Sequence, residues 1–127
     1  MKLEDCPVKA TLDVIGGKWK TIILNELKNG PLHFGALRRL TEGASHKVLT
    51  AQLRELEADG ILTRSVTAET PPRTLYALSA RGESLRPILI ALCEWGRAYR
   101  EESEARESSS LNQSRSLHRR PGALPER

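Results

Sequence analysis

Apolar residues recur at helical spacing through the first 60 positions of the chain, in four segments. Segment by segment they are Val8, Leu12, Ile15; Trp19, Ile22, Ile23, Leu27; Phe34, Leu37, Leu40; and Leu49, Leu53, Leu56. Gly16-Gly17, Asn29-Gly30-Pro31 and a turn at residues 41–44 separate them, so the pattern predicts four helices. Ser45 is placed to cap the fourth helix, which we expect to end at Asp59-Gly60.

The pattern changes after residue 60. Ile61 to Ala68 and Arg73 to Ser79 are β-rich runs joined by Glu69-Thr70-Pro71-Pro72, which predicts a β-hairpin. Ser79 can cap a last long helix, from about Ala80 to Ala105. From residue 106 serines, arginines and prolines follow without a period, which predicts a disordered polar tail. We therefore expect one folded domain over residues 1–105 and a tail over 106–127.

The predicted order of elements is four helices, a hairpin and a helix. Three helices with a short turn between the last two, followed at once by a hairpin, form the winged helix-turn-helix arrangement. The sequence therefore predicts a mainly α fold with a small β-hairpin wing. The N-terminal and C-terminal helices are additions to that unit, and we expect them to serve dimerisation.

Composition and charge exclude several classes of protein. Apolar residues make up 39% of the chain and charged residues 28%, as in an ordinary soluble domain. No apolar run approaches the roughly 18 to 20 residues of a membrane helix, and the N-terminus has no hydrophobic signal segment, so we expect a cytoplasmic protein. The two cysteines and three histidines show no metal-ligand spacing, and we expect neither a metal nor a cofactor. The net charge of +4 lies wholly in the first 100 residues, which fits a nucleic-acid binder without proving one.

The helix after Ser45 has the polar face that a DNA-recognition helix needs. At about 100° per residue, Lys47, Thr50, Ala51 and Arg54 lie opposite its leucine stripe. Its acidic residues collect mainly in the last turn. The cations and the hydroxyl can donate to guanine or phosphate, and the alanine can contact a thymine methyl. Taken alone, such a face is equally typical of a solvated helix.

Neighbouring cations favour the functional interpretation. Arg38-Arg39 lies on the helix that would cross the phosphate backbone, and Arg64 and Arg73 lie on the two predicted strands. The predicted DNA-contacting residues are Arg38, Arg39, Ser45, His46, Lys47, Thr50, Ala51, Arg54, Arg64 and Arg73. We therefore predict a regulator that binds double-stranded DNA. A protein–protein adaptor built on the same fold is the alternative, and an enzyme is not expected because the chain has no catalytic motif.

Four segments form a specific combination when they occur in one chain. They are Cys6-Pro7-Val8, Leu12-Asp13-Val14-Ile15-Gly16-Gly17-Lys18-Trp19, Leu49-Thr50-Ala51-Gln52-Leu53-Arg54-Glu55-Leu56-Glu57-Ala58-Asp59-Gly60, and Pro71-Pro72-Arg73 with Tyr76. This combination, which runs from about Cys6 to Tyr99, resembles the HxlR-type winged helix regulators, relatives of the MarR type. The resemblance implies a dimeric bacterial repressor or activator on a pseudo-palindromic operator, and we expect a repressor. The chain departs from the family pattern at Thr74-Leu75, where relatives carry Val-Glu, and this leaves the contacts of the wing open.

The last predicted helix carries more apolar positions than a small domain needs, which predicts a homodimer. The expected interface residues are Val8, Leu12, Ile15, Leu85, Ile88, Leu89, Leu92, Trp95 and Tyr99. Two-fold symmetry would place the two recognition helices about 34–36 Å apart, one turn of DNA. The alternative is a helix that only packs on its own domain. Cys93, on the same helix, is expected to be a packing residue.

Cys6 is the residue with a specific chemical hypothesis. It stands beside a proline at the predicted N-terminus of the first helix, where backbone N–H groups stabilise a thiolate. Lys2 and Lys9 assist this effect, and Glu4 and Asp5 oppose it. The resemblance adds that several HxlR-type regulators sense oxidants or electrophiles through a cysteine at this position, which implies a redox-sensing thiol and an oxidant or small-molecule effector. A partly buried structural cysteine is the alternative.

Overall fold

The computed structural model describes residue 2 and residues 5–118, with side chains through Asn112 in the last helix. Along the described chain the elements are α1 (Pro7–Ile15), α2 (Lys18–Leu27), β1 (Leu32–His33), α3 (Phe34–Leu40), α4 (His46–Ala58), β2 (Leu62–Val66), β3 (Thr74–Leu78), α5 (Ala80–Glu83) and α6 (Arg86–His118). The predicted fold class, mainly α with a small β-hairpin, is confirmed. The chain divides into two compact units, Met1–Ile90 and Ala91–Arg127.

The sheet of the first unit has three antiparallel strands in the order β1-β3-β2. The predicted hairpin pairs Leu62 with Leu78 at its base and Val66 with Thr74 near its tip. Strand β1 joins the other edge of β3, with Leu32 opposite Tyr76. We did not predict β1 because two residues are too few to show the alternation that indicates a strand. Through β1, the segment that leads into α3 is hydrogen-bonded to the hairpin.

The core of the first unit is formed by the apolar faces of its helices and the base of the hairpin. Its buried members are Ile15, Ile23, Leu24, Leu27, Leu37, Leu49, Leu53, Leu56, Ile61, Leu62, Tyr76 and Leu89. The three leucines of α4 are completely buried, as the sequence period predicts. Since burying one such side chain contributes roughly 1.5–3 kcal/mol, this stripe fixes which face of α4 is left outside.

The ends of the helices follow the expected local chemistry at most positions. The Ser45 hydroxyl oxygen accepts a hydrogen bond from the Val48 N–H at 3.1 Å and caps α4. Gly17 between α1 and α2 has φ of 95°, and Gly60 after α4 has φ of 75°. Both values lie in the left-handed region that favours glycine, so the sharp turns after α1 and α4 depend on these residues.

The predicted last helix differs from the structure at both ends. It is divided into α5 and α6 because Pro87 has no N–H to donate to Glu83, and Ser84 and Leu85 instead close tighter turns onto Arg81 and Gly82. At the other end α6 continues to His118, so residues 106–118 are helical where we expected a disordered tail. This segment is rich in serine and mostly polar, so it shows none of the apolar period from which a helix is predicted. Residues 119–127 of the expected tail lie outside the described residues.

Candidate nucleic-acid interface

The turn between α3 and α4 is fixed by close contacts with residues of α2 and α3. Thr41 is buried, and its hydroxyl donates to the Leu37 carbonyl at 2.7 Å. The Trp19 ring of α2 lies so close to the turn that a Cβ atom on Gly43 would be 3.0 Å from the ring. Since a side chain larger than hydrogen would press on the ring, the turn sets a defined angle between α3 and α4. The exposed faces of α3 and α4 therefore keep a fixed orientation relative to each other.

The outer face of α4 carries two exposed cations. Lys47, Ala51 and Arg54 are exposed, as expected. Thr50 differs from the prediction, since its hydroxyl oxygen is buried and has no hydrogen-bond partner among residues 5–118. His46 is exposed, and its ring lies 5.2 Å from the ring of Phe34, centroid to centroid. The available face at the start of α4 is therefore basic and narrow.

The carboxylates of α4 are paired with cations of neighbouring elements. Glu55 binds Lys20 of α2 at 2.7 Å, and Glu57 lies 3.6 Å from Arg64 of β2. The negative charges that would oppose a polyanion are thus matched by positive ones. Lys20 is not among the residues that we predicted for this site. Its spacing to the buried Ile23, Leu24 and Leu27 is three, four and seven residues. This helical spacing places the lysine on the side of α2 that faces the core, and it is the sequence signal that could have identified the residue.

Arg38 and Arg39 are exposed in the last turn of α3, where the negative end of the helix dipole favours cations. Together with Gly35, Glu42 and Ala44 they line a shallow concave surface beside the turn. Such a surface next to the N-terminus of α4 can accommodate a phosphate backbone. The structure therefore brings these two arginines to the same side as the exposed start of α4.

The hairpin places the two remaining predicted arginines differently. Arg64 points from β2 toward Glu57, and Arg73 precedes β3 with its guanidinium 3.8 Å from Glu69. The loop between the strands is closed by two hydrogen bonds, from the Thr67 N–H to the Arg73 carbonyl and from the Arg73 N–H to the Thr67 hydroxyl. Both arginine side chains are about half exposed, so each guanidinium can bind another anion while it stays beside its carboxylate.

Tyr76 links the hairpin to α4 electrostatically. Burial raises the pKa of its phenol above the ordinary value of 10.0, and the Glu57 carboxylate raises it further. Arg64 and Arg54 act in the opposite direction on the same phenol. Arg64 is the partner of Tyr76 across the two strands.

The predicted dimer residues separate into exposed and buried ones. In the first unit Val8 and Leu12 of α1 are 65% and 56% exposed, and Ile88 is exposed on α6. Ile15 and Leu89 are buried in the core of the first unit and are not exposed to a partner, contrary to the prediction; Leu85 packs partly against this core, and its place in the interface stays a prediction. In the second unit Leu92, Trp95 and Tyr99 are exposed, and the last two rings stack at 5.2 Å.

Cys6 is the N-cap residue of α1 and is half buried, with Pro7 as the first helical residue. Lys9, one of the lysines expected to assist its thiolate, forms an ion pair with Asp13 at 2.9 Å instead. Glu4 lies outside the described residues. Cys93 is also half buried, and Arg97 donates a hydrogen bond to its sulfur at 3.3 Å.

Helices α3 and α4 joined by a tight turn, with a basic outer face and a β-hairpin beside it, define a winged helix-turn-helix protein. Residues 14–104 match the family model of the HxlR-like helix-turn-helix proteins. The chain belongs to this family, which confirms the resemblance seen in the sequence. Among the described helices, none combines the length and the apolar character that a membrane span requires.

Relatives and solved structures agree with this assignment. The HTH-type transcriptional regulator YybR of Bacillus subtilis is 44% identical over 108 residues, which cover 85% of this chain and 86% of YybR. The reduced form of the redox regulator HypR has a TM-score of 0.73 at 44% identity and matches 79% of this chain and 99% of HypR. The oxidised form has a TM-score of 0.70 at 46% identity and matches 73% of this chain and 96% of HypR. The chain is a transcriptional regulator of the helix-turn-helix type.

Proposed function

We propose that this regulator is a cytoplasmic repressor that binds a pseudo-palindromic operator in duplex DNA as a homodimer. The observation that carries the proposal is the charge pattern of α4. Lys47 and Arg54 are exposed on its outer face, while the carboxylates of Glu55 and Glu57 are held by Lys20 and Arg64. A helix with free cations and matched acids can approach phosphates closely.

In this proposal α4 enters the major groove and its neighbours contact the backbone. Lys47 and Arg54 donate to base edges or phosphates, and Ala51 can contact a thymine methyl. Arg38 and Arg39 face the phosphates of the strand that α3 crosses, and Arg73 reaches the minor groove from the hairpin. Since the Thr50 hydroxyl oxygen is buried, we assign it no base contact.

The homodimer is supported by the exposed apolar side chains of each unit taken by itself. Val8 and Leu12 lie on α1, and Leu92, Trp95 and Tyr99 lie on α6 beyond residue 90. Large apolar side chains grouped in this way are typical of surfaces that a second copy covers. A two-fold dimer would present two copies of α4 to successive major grooves and would favour an inverted-repeat site.

We further propose that Cys6 makes DNA binding responsive to oxidants. Support comes from its position as the N-cap of α1 and from the similarity of the chain to the redox regulator HypR. In the simplest chemistry, the thiolate attacks a peroxide oxygen, which gives a sulfenic acid and releases hydroxide. A polar and larger group at the first turn of α1 would then disturb the exposed face that Val8 and Leu12 form.

The proposal is tested by selecting bound sites from random duplexes with the reduced protein. An enriched inverted repeat is the expected result, and steep weakening of its binding with salt would separate a DNA-binding protein from an adaptor. Arg54→Ala should cost about 1–3 kcal/mol on the selected site if Arg54 contacts a base. Arg38→Ala should instead weaken binding to all duplexes alike. Failure to enrich any sequence would overturn specific DNA binding.

A further inference from the structure

A buried lysine beneath the recognition helix carries a further inference. Lys20 is only 8% exposed, on a helix whose neighbouring side chains Ile23, Leu24 and Leu27 form the core. Its ammonium group lies 2.7 Å from the Glu55 carboxylate. A buried ammonium is costly unless a carboxylate or several acceptors compensate it, so the position of Lys20 depends on Glu55.

Glu55 occupies a sensitive place on α4. Around the helix axis it lies about 40° from Ala51 and about 100° from Arg54, so its carboxylate borders the face that we assign to DNA. Its side chain is 55% exposed. Left without a partner, this carboxylate would stand near the phosphates and repel them, since nearby like charges across an interface oppose association.

Stability alone is a poor explanation for the pair. Replacing a buried ion pair by apolar residues of similar volume is often neutral or stabilising. A lysine that is kept in the core and directed at an exposed carboxylate is better explained by what it does to that carboxylate. It cancels the charge and draws the group toward α2, away from the groove.

We propose that Lys20 is a positioning residue for DNA recognition, which holds and neutralises Glu55 so that α4 presents only positive charge to the duplex. This inference rests on the proposed DNA binding. Lys20 itself does not contact DNA in this arrangement. Its effect on affinity passes entirely through the Glu55 carboxylate.

The test is a double-mutant cycle in binding to the selected duplex, measured by fluorescence anisotropy over a series of salt concentrations. Lys20→Met should weaken binding by about three- to tenfold at low salt, and by less at high salt because the repulsion from Glu55 is screened. Lys20→Met combined with Glu55→Gln should restore the affinity to within about twofold of the unmodified protein. A purely structural role of Lys20 predicts no such rescue.

Two controls separate charge from folding. Lys18→Met removes a cation from the same helix without releasing Glu55, and it should change affinity by less than about twofold. Lys20→Arg keeps the pair and should also remain within about twofold, which provides a second test if Lys20→Met unfolds. Thermal unfolding of each variant shows whether it is folded at the temperature of the binding measurement.

The possible outcomes are distinct. Full affinity of Lys20→Met, or a double variant as weak as Lys20→Met, would overturn the role of Lys20 while leaving DNA binding intact. If Lys20→Met is unfolded, weak binding by a folded Lys20→Arg protein would overturn it equally. Absence of duplex binding by the unmodified protein would overturn the proposed function itself and this inference with it.

Discussion

The cations of the proposed interface differ in how they pair with carboxylates in the absence of DNA. Arg64 and Arg73 each face a carboxylate, Glu57 at 3.6 Å and Glu69 at 3.8 Å. Exposed pairs of this kind contribute at most about 1 kcal/mol, so neither pair prevents its guanidinium, which has five N–H donors, from also binding a phosphate. The Lys20–Glu55 pair differs from these two, because the Lys20 ammonium is buried and water cannot readily replace Glu55 as its partner. The wing arginines are therefore adaptable, whereas Lys20 is fixed.

Cys6 allows a prediction at the scale of one atom. Cys6→Ser should bind the operator as the reduced protein does, because serine is close to cysteine in size and is favoured at the N-cap position. It should lose the release of DNA that hydrogen peroxide causes, since the hydroxyl is not oxidised to a sulfenic acid. Anisotropy of a labelled operator with and without peroxide measures this.

Cys93→Ser is the matched control for the Cys6 experiment. It removes the other half-buried thiol and should leave peroxide-dependent release unchanged, because we expect Cys93 to be a packing residue. Release of DNA from Cys6→Ser at the peroxide concentration that acts on the unmodified protein would contradict the thiol switch.

At the scale of elements, the first turn of α4 depends on one cap. Ser45→Ala removes the acceptor for the Val48 N–H and should lower the free energy of unfolding by about 1 kcal/mol. Ser45→Asp keeps a cap acceptor and should retain most of that stability, but it adds a negative charge at the DNA-facing end of the helix. Chemical denaturation and operator binding, measured on both variants, separate the two effects. Equal loss of DNA affinity in both variants without a difference in stability would contradict this role of the cap.

The elements also mark how far the sequence could be interpreted. The leucine stripe of α4, its Ser45 cap and the hairpin could be predicted because period and capping chemistry are local. Strand β1 and the Lys20–Glu55 pair could not, since each depends on a partner more than 30 residues away in the chain. The continuation of α6 past residue 105 was missed because a solvated helix has no apolar stripe. Within the candidate site, the exposure of Lys47, Ala51 and Arg54 was predicted correctly from the helical period, whereas the inward orientation of the Thr50 hydroxyl oxygen was not.

At the scale of the whole molecule, function as proposed requires a second copy. Trp95→Glu places a charge on an apolar side chain that is 70% exposed, and it should shift the protein from dimer to monomer in sedimentation at micromolar concentration. Operator affinity should fall strongly, because one α4 alone contacts only half of the site. The core of the first unit contains no part of this surface, so the variant should remain folded.

Leu111→Glu is a fair control for the dimer prediction. It introduces the same charge on the same helix at a large apolar residue that is 49% exposed and lies outside the predicted interface, and it should remain dimeric. A monomeric unmodified protein at these concentrations, or a Trp95→Glu protein that sediments as a dimer, would rule out the predicted surface.

The central position of β3 has a practical consequence for anyone who dissects this regulator. Because β3 pairs with β1 on one edge and β2 on the other, cutting the hairpin away would also unzip Leu32 and loosen the entry to α3. A truncated protein that no longer binds DNA would then say nothing about the groove that the wing touches. The role of the wing is better tested by single substitutions in the loop from Glu69 to Arg73, which leave both strands intact.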